Sequence, residues 1–549
     1  MFRRVLHIQS LLAYPSFSLS QDDYAWSSLN QSVNGRLHRA TPFALPCFSS
    51  YNGQTQTPDL GRCSEIQSDY PSPTVRVDIP GAFMNSQSEI CLSQSSNQCL
   101  LDGTNPWAPL ATNASCLQGS VSDYYVQVIA HSDVVAAGHD YVTRSSLRDS
   151  LSLWTHHLQS ISYSPFYLPH GCSSDAHSAL TIGPGVSLDE AYAFADTRNV
   201  TYISGYASTV AAAGGWLLSG GHSVLSPVLG LGVDRAIEFK IVTPDGLLRI
   251  ANACQNSDLF WALRGGGGGF GVVLESTSIV EPRMPVAVAS ITVPASTPET
   301  THSWLELLVT ESLRWGLDDW GGHLTSTTLI HMNPLLDLSA ATASMNSATS
   351  FALVHNGSSV IEVLPSWYEV YEKYVIPSQR DVGAIRLLNS RLIRTAMFES
   401  PEGRAKIMEY LDLLTEMKLE PYIPVSTPLL YRNSRADLKA ATSVTPAWRN
   451  TLWHLSTNMA IAWNSSYAER LQAIVGFTNL TRTLHELAPD SGAYSAESNP
   501  FTEDWKRDYW GEENYARLLE VKRKYDPDGL MGCWKCVGYG QTLGGCGRI

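Results

Sequence analysis

Basic charge is scarce in this chain. Lys and Arg total 37 against 51 Asp and Glu in 549 residues, a formal net charge of −14, and no basic run concentrates the cations. A nucleic-acid partner needs clustered Lys and Arg against phosphate and is excluded. No apolar stretch reaches the ~18 residues a membrane-crossing helix requires, so no span is expected. Metal ligands are also short: Cys533-Trp534-Lys535-Cys536 is a CxxC without a second pair of similar spacing. That pattern leaves a disulfide or buried thiols, and no metal site. Helical periodicity is missing from residues 1–116, which are rich in Ser, Pro, Asn and Gln and hold Cys47, Cys63, Cys91, Cys99 and Cys116. Disulfides there would replace missing core, in a pairing that spacing does not fix.

What is present suits a large folded enzyme. Hydrophobic residues make up 44% of a chain longer than one compact domain, enough for a core in each of two. The 15 Trp and 24 Tyr suit a planar apolar ligand as well as a large core. Met1-Phe2-Arg3-Arg4 followed by the mostly apolar Val5 to Tyr14 reads as a weak secretory signal, the alternative being a cytoplasmic or vesicular protein. Asn30, Asn113, Asn199, Asn356, Asn464 and Asn479 head Asn-x-Ser/Thr sequons that permit glycosylation on a secretory route.

From about residue 120 the pattern becomes α+β. Val134 to Ala137, Ala179 to Ile182 and Thr201 to Ile203 read as short buried strands, and Leu188 to Thr197 as a helix with acidic residues in its first turn. Ile237 to Val242, the turn Pro244-Asp245-Gly246 and Leu247 to Ile250 form a hairpin signature. After about residue 285 glycine clusters give way to amphipathic segments at Ser303 to Trp315, Val360 to Val375 and Glu402 to Met417, which marks a domain boundary.

Glycines gather at Gly214-Gly215, Gly220-Gly221 and Gly265 to Gly269, where bare backbone can approach a large anionic cofactor. A nicotinamide fingerprint runs strand, glycines, helix. Here the helix-like Asn256 to Leu263 precedes the five glycines and Val272-Val273-Leu274 follows, so the order is reversed. The run is either a turn or one wall of a shared cofactor site.

Gly138-His139-Asp140-Tyr141, Thr181 to Val186, Ala213 to Ser223, Leu229 to Asp234, Phe260 to Gly267 and Tyr525 to Leu530 together resemble the FAD-linked oxidases of the berberine bridge enzyme type, in the vanillyl-alcohol oxidase superfamily. The likeness covers roughly residues 115–284 and 505–540 and leans to the fungal secondary-metabolite branch. Between them it is patchy, chiefly Thr442 to Asn450. The resemblance implies an α+β fold: an FAD-binding domain at 117–284 completed by a returning segment at 501–549, with a substrate domain at 285–500 built on an antiparallel sheet covered by helices. Residues 1–116 form a signal-like, cysteine-containing extension.

The resemblance also assigns roles. His139 matches the histidine bonded to the flavin 8α-methyl, and Tyr141 a tyrosine beside the isoalloxazine ring. Gly138, Gly205, Thr209, Gly214, Gly215, Gly220, Gly221 and His222 fall in cofactor-binding segments. Ala207 occupies the position of the cysteine that forms a second flavin link in bicovalent members, so FAD is expected to be attached through His139 only. Asn514 and Tyr515 match a segment that closes over the flavin, and Tyr509 belongs to the same stretch in an uncertain register. His454 and Trp448 are candidates for the substrate side, each with core packing as the plain alternative.

One departure concerns the link before Gly138. Relatives carry a strand, a helix and a second strand there, whereas ten residues separate Gln127 from Gly138, too few for a helix of typical length. A supporting helix is expected to be missing, at the expense of cofactor affinity. The implied reaction is oxidation of a small organic molecule at a C–H next to nitrogen or oxygen or at an allylic carbon, with hydride passing to flavin N5, a base taking a proton, and O2 regenerating the flavin with release of H2O2. An alkaloid intermediate, with ring-forming oxidation of the ergot type, is the most specific expectation. A carbohydrate oxidase of the same fold and a non-catalytic secreted flavin- or ligand-binding protein are the alternatives.

Overall fold

The computed structural model describes residues 19–92, 98–105, 107–109, 112–137, 150–425 and 441–540. The short strands before residue 285 make two sheets. In the first, Tyr124–Gln127 lies between Leu37–Arg39, antiparallel to it, and Leu151–Trp154, parallel to it. In the second, five antiparallel strands follow the order Leu248–Asn252, Ala236–Val242, Val272–Ile279, His177–Ile182, Ile161–Tyr167. The hairpin read from Pro244-Asp245-Gly246 is present: Thr243 Oγ1 donates to Asp245, and Gly246 takes a φ of 75° that a side chain would resist. The helix Leu188–Thr197 begins where the Glu190 carboxylate reaches back to accept the Ser187 amide at 2.8 Å and the Ser187 hydroxyl at 2.5 Å.

Beyond residue 285, seven antiparallel strands run in the order Ser358–Leu364, Val286–Thr292, Thr328–Asn333, Gly321–Leu324, Pro421–Val425, Thr451–Ile461, Ile385–Arg394. Helices Pro298–Leu317, Pro401–Glu416 and Tyr467–Leu487 contribute to the main core against one face. Period-2 alternation decides what each face receives. Leu324, Ile423, Trp453 and Leu455 enter that core. Their neighbours His323, Tyr422, His454 and Ser456 project from the other face, where the register pairs Tyr422 with Ser456 and His323 with Pro424.

Several expectations are corrected. Val134 to Ala137 is no strand: it lies within the helix His131–Ala137, whose Asp133 carboxylate accepts the Ile129 and Ala130 amides at its start. A four-residue apolar run carries too little period to separate strand from helix. The link before Gly138 therefore does hold a helix, of two turns. Val360 to Val375 is not one amphipathic segment but the strand Ser358–Leu364 followed by the short helical turns Trp367–Val370 and Tyr371–Val375. The first 116 residues contain the helices Leu19–Ser32 and Leu60–Asp69, the latter capped by Asp59 accepting the Arg62 amide. That extension is woven into the rest, since Leu37–Arg39 joins a sheet and Ile90 and Leu100 enter the core of the seven-stranded unit. Cys47–Cys63 and Cys99–Cys116 are disulfides within its own small cluster.

Candidate active site

Four separate segments bring a ring of aromatic and imidazole groups together. The first is the Gly220-Gly221-His222 turn. Gly220 and Gly221 have φ of 132° and 73°, and a Cβ on Gly221 would stand 3.0 Å from the Trp216 ring. Only glycine lets the chain reverse there, and Trp216 Nε1 then donates to the His222 carbonyl at 3.1 Å. The second is the 3-10 turn Pro446–Asn450, which presents Trp448; the third is the strand Thr451–Ile461, which presents His454. The fourth is the loop carrying Tyr494 and Glu497, where the Glu497 amide donates to the Tyr494 carbonyl at 3.1 Å.

The His222 ring lies 5.9 Å from Trp448, 5.2 Å from His454 and 5.3 Å from Tyr494. Glu497 closes the group. Its carboxylate is 3.2 Å from His222 Nε2 and 3.7 Å from His454 Nδ1. Burial by itself would raise the Glu497 pKa, but the charge and hydrogen bond of His222 outweigh it, helped by His454, and hold the carboxyl down at about 2. His454 goes the other way, since desolvation depresses its imidazole to about 3. His454 is therefore neutral, and neither ring nitrogen has a hydrogen-bond partner among the described residues.

A second pair continues the wall along the same sheet face. Tyr422 hydroxyl and His323 Nδ1 are 3.0 Å apart, and the His323 ring lies 4.3 Å from that of Tyr206. Burial lowers the His323 pKa to about 3 and lifts that of Tyr422 well above its ordinary value. Tyr206 adjoins Ala207, so the pocket reaches the loop where the resemblance places the flavin. Gln379 braces that loop by accepting from the Ser208 amide at 3.1 Å and donating to the Tyr206 carbonyl at 3.2 Å.

The segment 205–222 fits FAD. Ala207 is exposed and Gly214 and Gly215 are half-buried; space lies open where a Cβ on Gly215 would stand. The amides of Ala213 and Gly215 have no acceptor among the described residues. Free N–H groups beside small residues are what a diphosphate needs. Gly205 differs, for its carbonyl accepts the Tyr192 hydroxyl at 2.7 Å and a Cβ would press on Trp216. The five-glycine run is tight at its start and open further on: Cβ atoms on Gly265 and Gly266 would collide with Val444 and Ala262, whereas nothing stands within 4 Å of one on Gly267.

The chain from Ala493 onward matches the family described as "Berberine and berberine like" over residues 493–531, and residues 131–252 match "FAD binding domain". It is 41% identical to the FAD-linked oxidoreductase ffsJ of Aspergillus flavipes across 96% of this chain and 94% of that protein. It belongs to the berberine-type FAD-linked oxidoreductases. This FAD-linked oxidoreductase is also 40% identical to OXR2 of Pyricularia oryzae, over 94% of this chain and 92% of the relative. Its fold is that of VAO-type flavoproteins: the crystal structure of MtVAO615 from Myceliophthora thermophila superposes with a TM-score of 0.81 at 26% identity, covering 96% of both chains. A chitooligosaccharide oxidase shares the fold at a TM-score of 0.61 and 16% identity, over 76% of this chain and 92% of the other.

Of the residues singled out in the sequence, His222, Trp448 and His454 meet in one cluster. Gly138, His139 and Tyr141 lie outside the described residues. Thr209 is half-buried in the loop beside Ala207. Tyr509 is corrected: it is a core residue, its hydroxyl donating to the Asn499 carbonyl at 3.2 Å and its ring packed on Trp510. Asn514 donates to the Val444 carbonyl at 2.9 Å, and Val444 lies against Gly220 and Gly265. Tyr515 packs between Trp505 and Trp510, with ring centroids 5.6 and 5.8 Å away. Glu497, Tyr494, Tyr422 and His323 were not anticipated. The last two sit at alternate positions of strands like any inward residue, and Glu497 lies in a loop without periodicity. The metal-free expectation also meets a counter-observation, since His222, His454 and Glu497 present ligand atoms within 4.8 Å of one another.

Proposed function

We propose that this enzyme oxidises a small organic molecule at a carbon bearing hydrogen next to oxygen or nitrogen, with the Glu497–His222–His454 group receiving the proton. The observation that carries this reading is an ionised carboxylate held between two imidazoles in a pocket otherwise walled by Trp448, Tyr494, Tyr422 and Tyr206. Bound FAD supplies the hydride acceptor. His454, neutral and without a hydrogen-bond partner among the described residues, has a lone pair for a substrate O–H or N–H proton, and Glu497 stabilises the imidazolium that results. His222 fixes the carboxylate. Tyr422, on the same sheet face, can donate a hydrogen bond to a substrate oxygen when His323 carries its proton on Nδ1 and donates to the Tyr422 hydroxyl.

The aromatic walls support a flat, apolar substrate over a sugar chain, which needs a polar groove. An alkaloid intermediate, with ring-forming oxidation as in chanoclavine formation, is the specific reading. O2 is the proposed final acceptor, since the five-glycine run has the order opposite to a nicotinamide fingerprint. Ala207 supports attachment of FAD through His139 alone.

The test is a panel of alkaloid amines, allylic and benzylic alcohols and oligosaccharides, scored for H2O2 under air and for flavin bleaching under nitrogen. Turnover of amines or alcohols without nicotinamide is expected, with His454→Gln slowed by about 100-fold or more, the scale of a lost general base. Turnover of oligosaccharides alone, or an unaffected variant, overturns the reading.

A further inference from the structure

We propose that Asn356 carries an N-linked glycan that shields the free edge of the seven-stranded sheet. Asn356-Gly357-Ser358 is a sequon at the turn between the helix Asn346–Val354 and the edge strand Ser358–Leu364. Asn356 is exposed and takes a left-handed φ of 58°, and its carboxamide has no hydrogen-bond partner among the described residues. The turn is fixed by backbone alone: the Gly357 amide donates to the Ala352 carbonyl at 2.7 Å, and a Cβ on Gly357 would strike the Thr292 carbonyl. A sugar chain at Nδ2 would thus leave every local hydrogen bond in place.

Asn30 differs. It is half-buried, and its Oδ1 accepts the Leu37 amide at 3.2 Å where the chain enters a sheet. A glycan there would disturb the packing.

The edge needs cover. Among the described residues Ser358–Leu364 pairs only with Val286–Thr292, so its other side offers backbone groups unpaired by any described strand. Beside it Leu353 and Val354 are 61% and 78% exposed, and its own Val360 is 48% exposed, a combination that invites strand pairing between copies. The cysteines point to the compartment where such transfer happens: Cys47–Cys63, Cys99–Cys116 and Cys172–Cys254 are disulfides, and no free thiol occurs among the described residues. In the transfer the Asn356 amide nitrogen bonds to C1 of an oligosaccharide carried on a lipid diphosphate. The C1–O bond to that diphosphate breaks, the diphosphate leaves, and the amide loses one proton, with no change of oxidation state.

The full chain secreted from a fungal host tests this by glycopeptide mass spectrometry, before and after endoglycosidase treatment. Expected are a glycan on Asn356, none on Asn30, and loss of one glycan mass in Asn356→Gln. Enzymatic removal of glycans from the folded wild-type protein should raise its self-association by light scattering, a readout that does not depend on the variant folding. An unmodified Asn356 overturns the site; a deglycosylated protein that stays monodisperse overturns the shielding role.

Discussion

Arg449 grips Asp234 with both terminal guanidinium nitrogens, each 2.7 Å from a carboxylate oxygen, in a pair closed to solvent. Asp234 Oδ2 also accepts the Leu231 amide at 2.9 Å. Since Arg449 follows Trp448 and Asp234 closes the turn whose Gly232 amide bonds to Gly221, this fork sets the Trp448 ring against His222.

Removing one partner should therefore be severe. Asp234→Asn leaves a buried guanidinium uncompensated and should cost about 3–5 kcal/mol. Arg449→Met should cost a similar amount alone, and the double variant less than the sum, read by urea unfolding of the holoenzyme. Additive losses would show that the two do not act as a pair.

Acid should destabilise the protein early. His323, His331 and His454 are buried with pKa values lowered from 6.5 to about 3, chiefly by desolvation. Between those values the unfolded chain binds protons that the folded one refuses, so stability is complete above pH 6.5 and falls as pH drops toward 3. Each imidazole contributes a slope of up to about 1.4 kcal/mol per pH unit. Glu497, depressed from 4.5 to about 2, acts in the same direction below pH 4.5. Thermal melts from pH 8 to 4 check this, and His331→Phe should flatten the curve without touching the pocket.

His222→Phe should release the Glu497 carboxyl upward, because the attraction and hydrogen bond that outweigh burial are lost. Its activity profile should gain an acid limb at higher pH than in the wild type, while His222→Gln, which keeps a donor, moves it less.

The covalent link is checked on a denaturing gel. Wild-type protein should keep flavin fluorescence, His139→Ala should lose it, and Ala207→Cys offers the position for a second bond. Fluorescence that survives in the His139 variant would place the link elsewhere.

Regular elements were legible where local signals agreed, as in the capped helix Leu188–Thr197 and the strand Val272–Ile279 after its glycines. His222 stood out because two glycines precede it. Glu497 did not, because its role comes from a loop meeting a strand more than forty residues earlier and a turn in the first half of the chain. Tyr509 misled for the opposite reason: its segment resembles one that covers a flavin, but the Asn499 carbonyl holds its hydroxyl in the core. Short apolar runs such as Val134 to Ala137 stayed ambiguous between periods.

Lys522 donates to the carbonyls of Gly269 and Met531 at 2.5 and 2.8 Å and to the Asp526 carboxylate at 2.5 Å. The glycine-rich run, translated near the middle of the chain, is thus fastened by a side chain made almost at the end. On the ribosome the first half must wait, unlocked, through some 250 further residues. Nascent chains arrested before Lys522 should remain protease-sensitive at Gly265 to Gly269, and full-length chains should not.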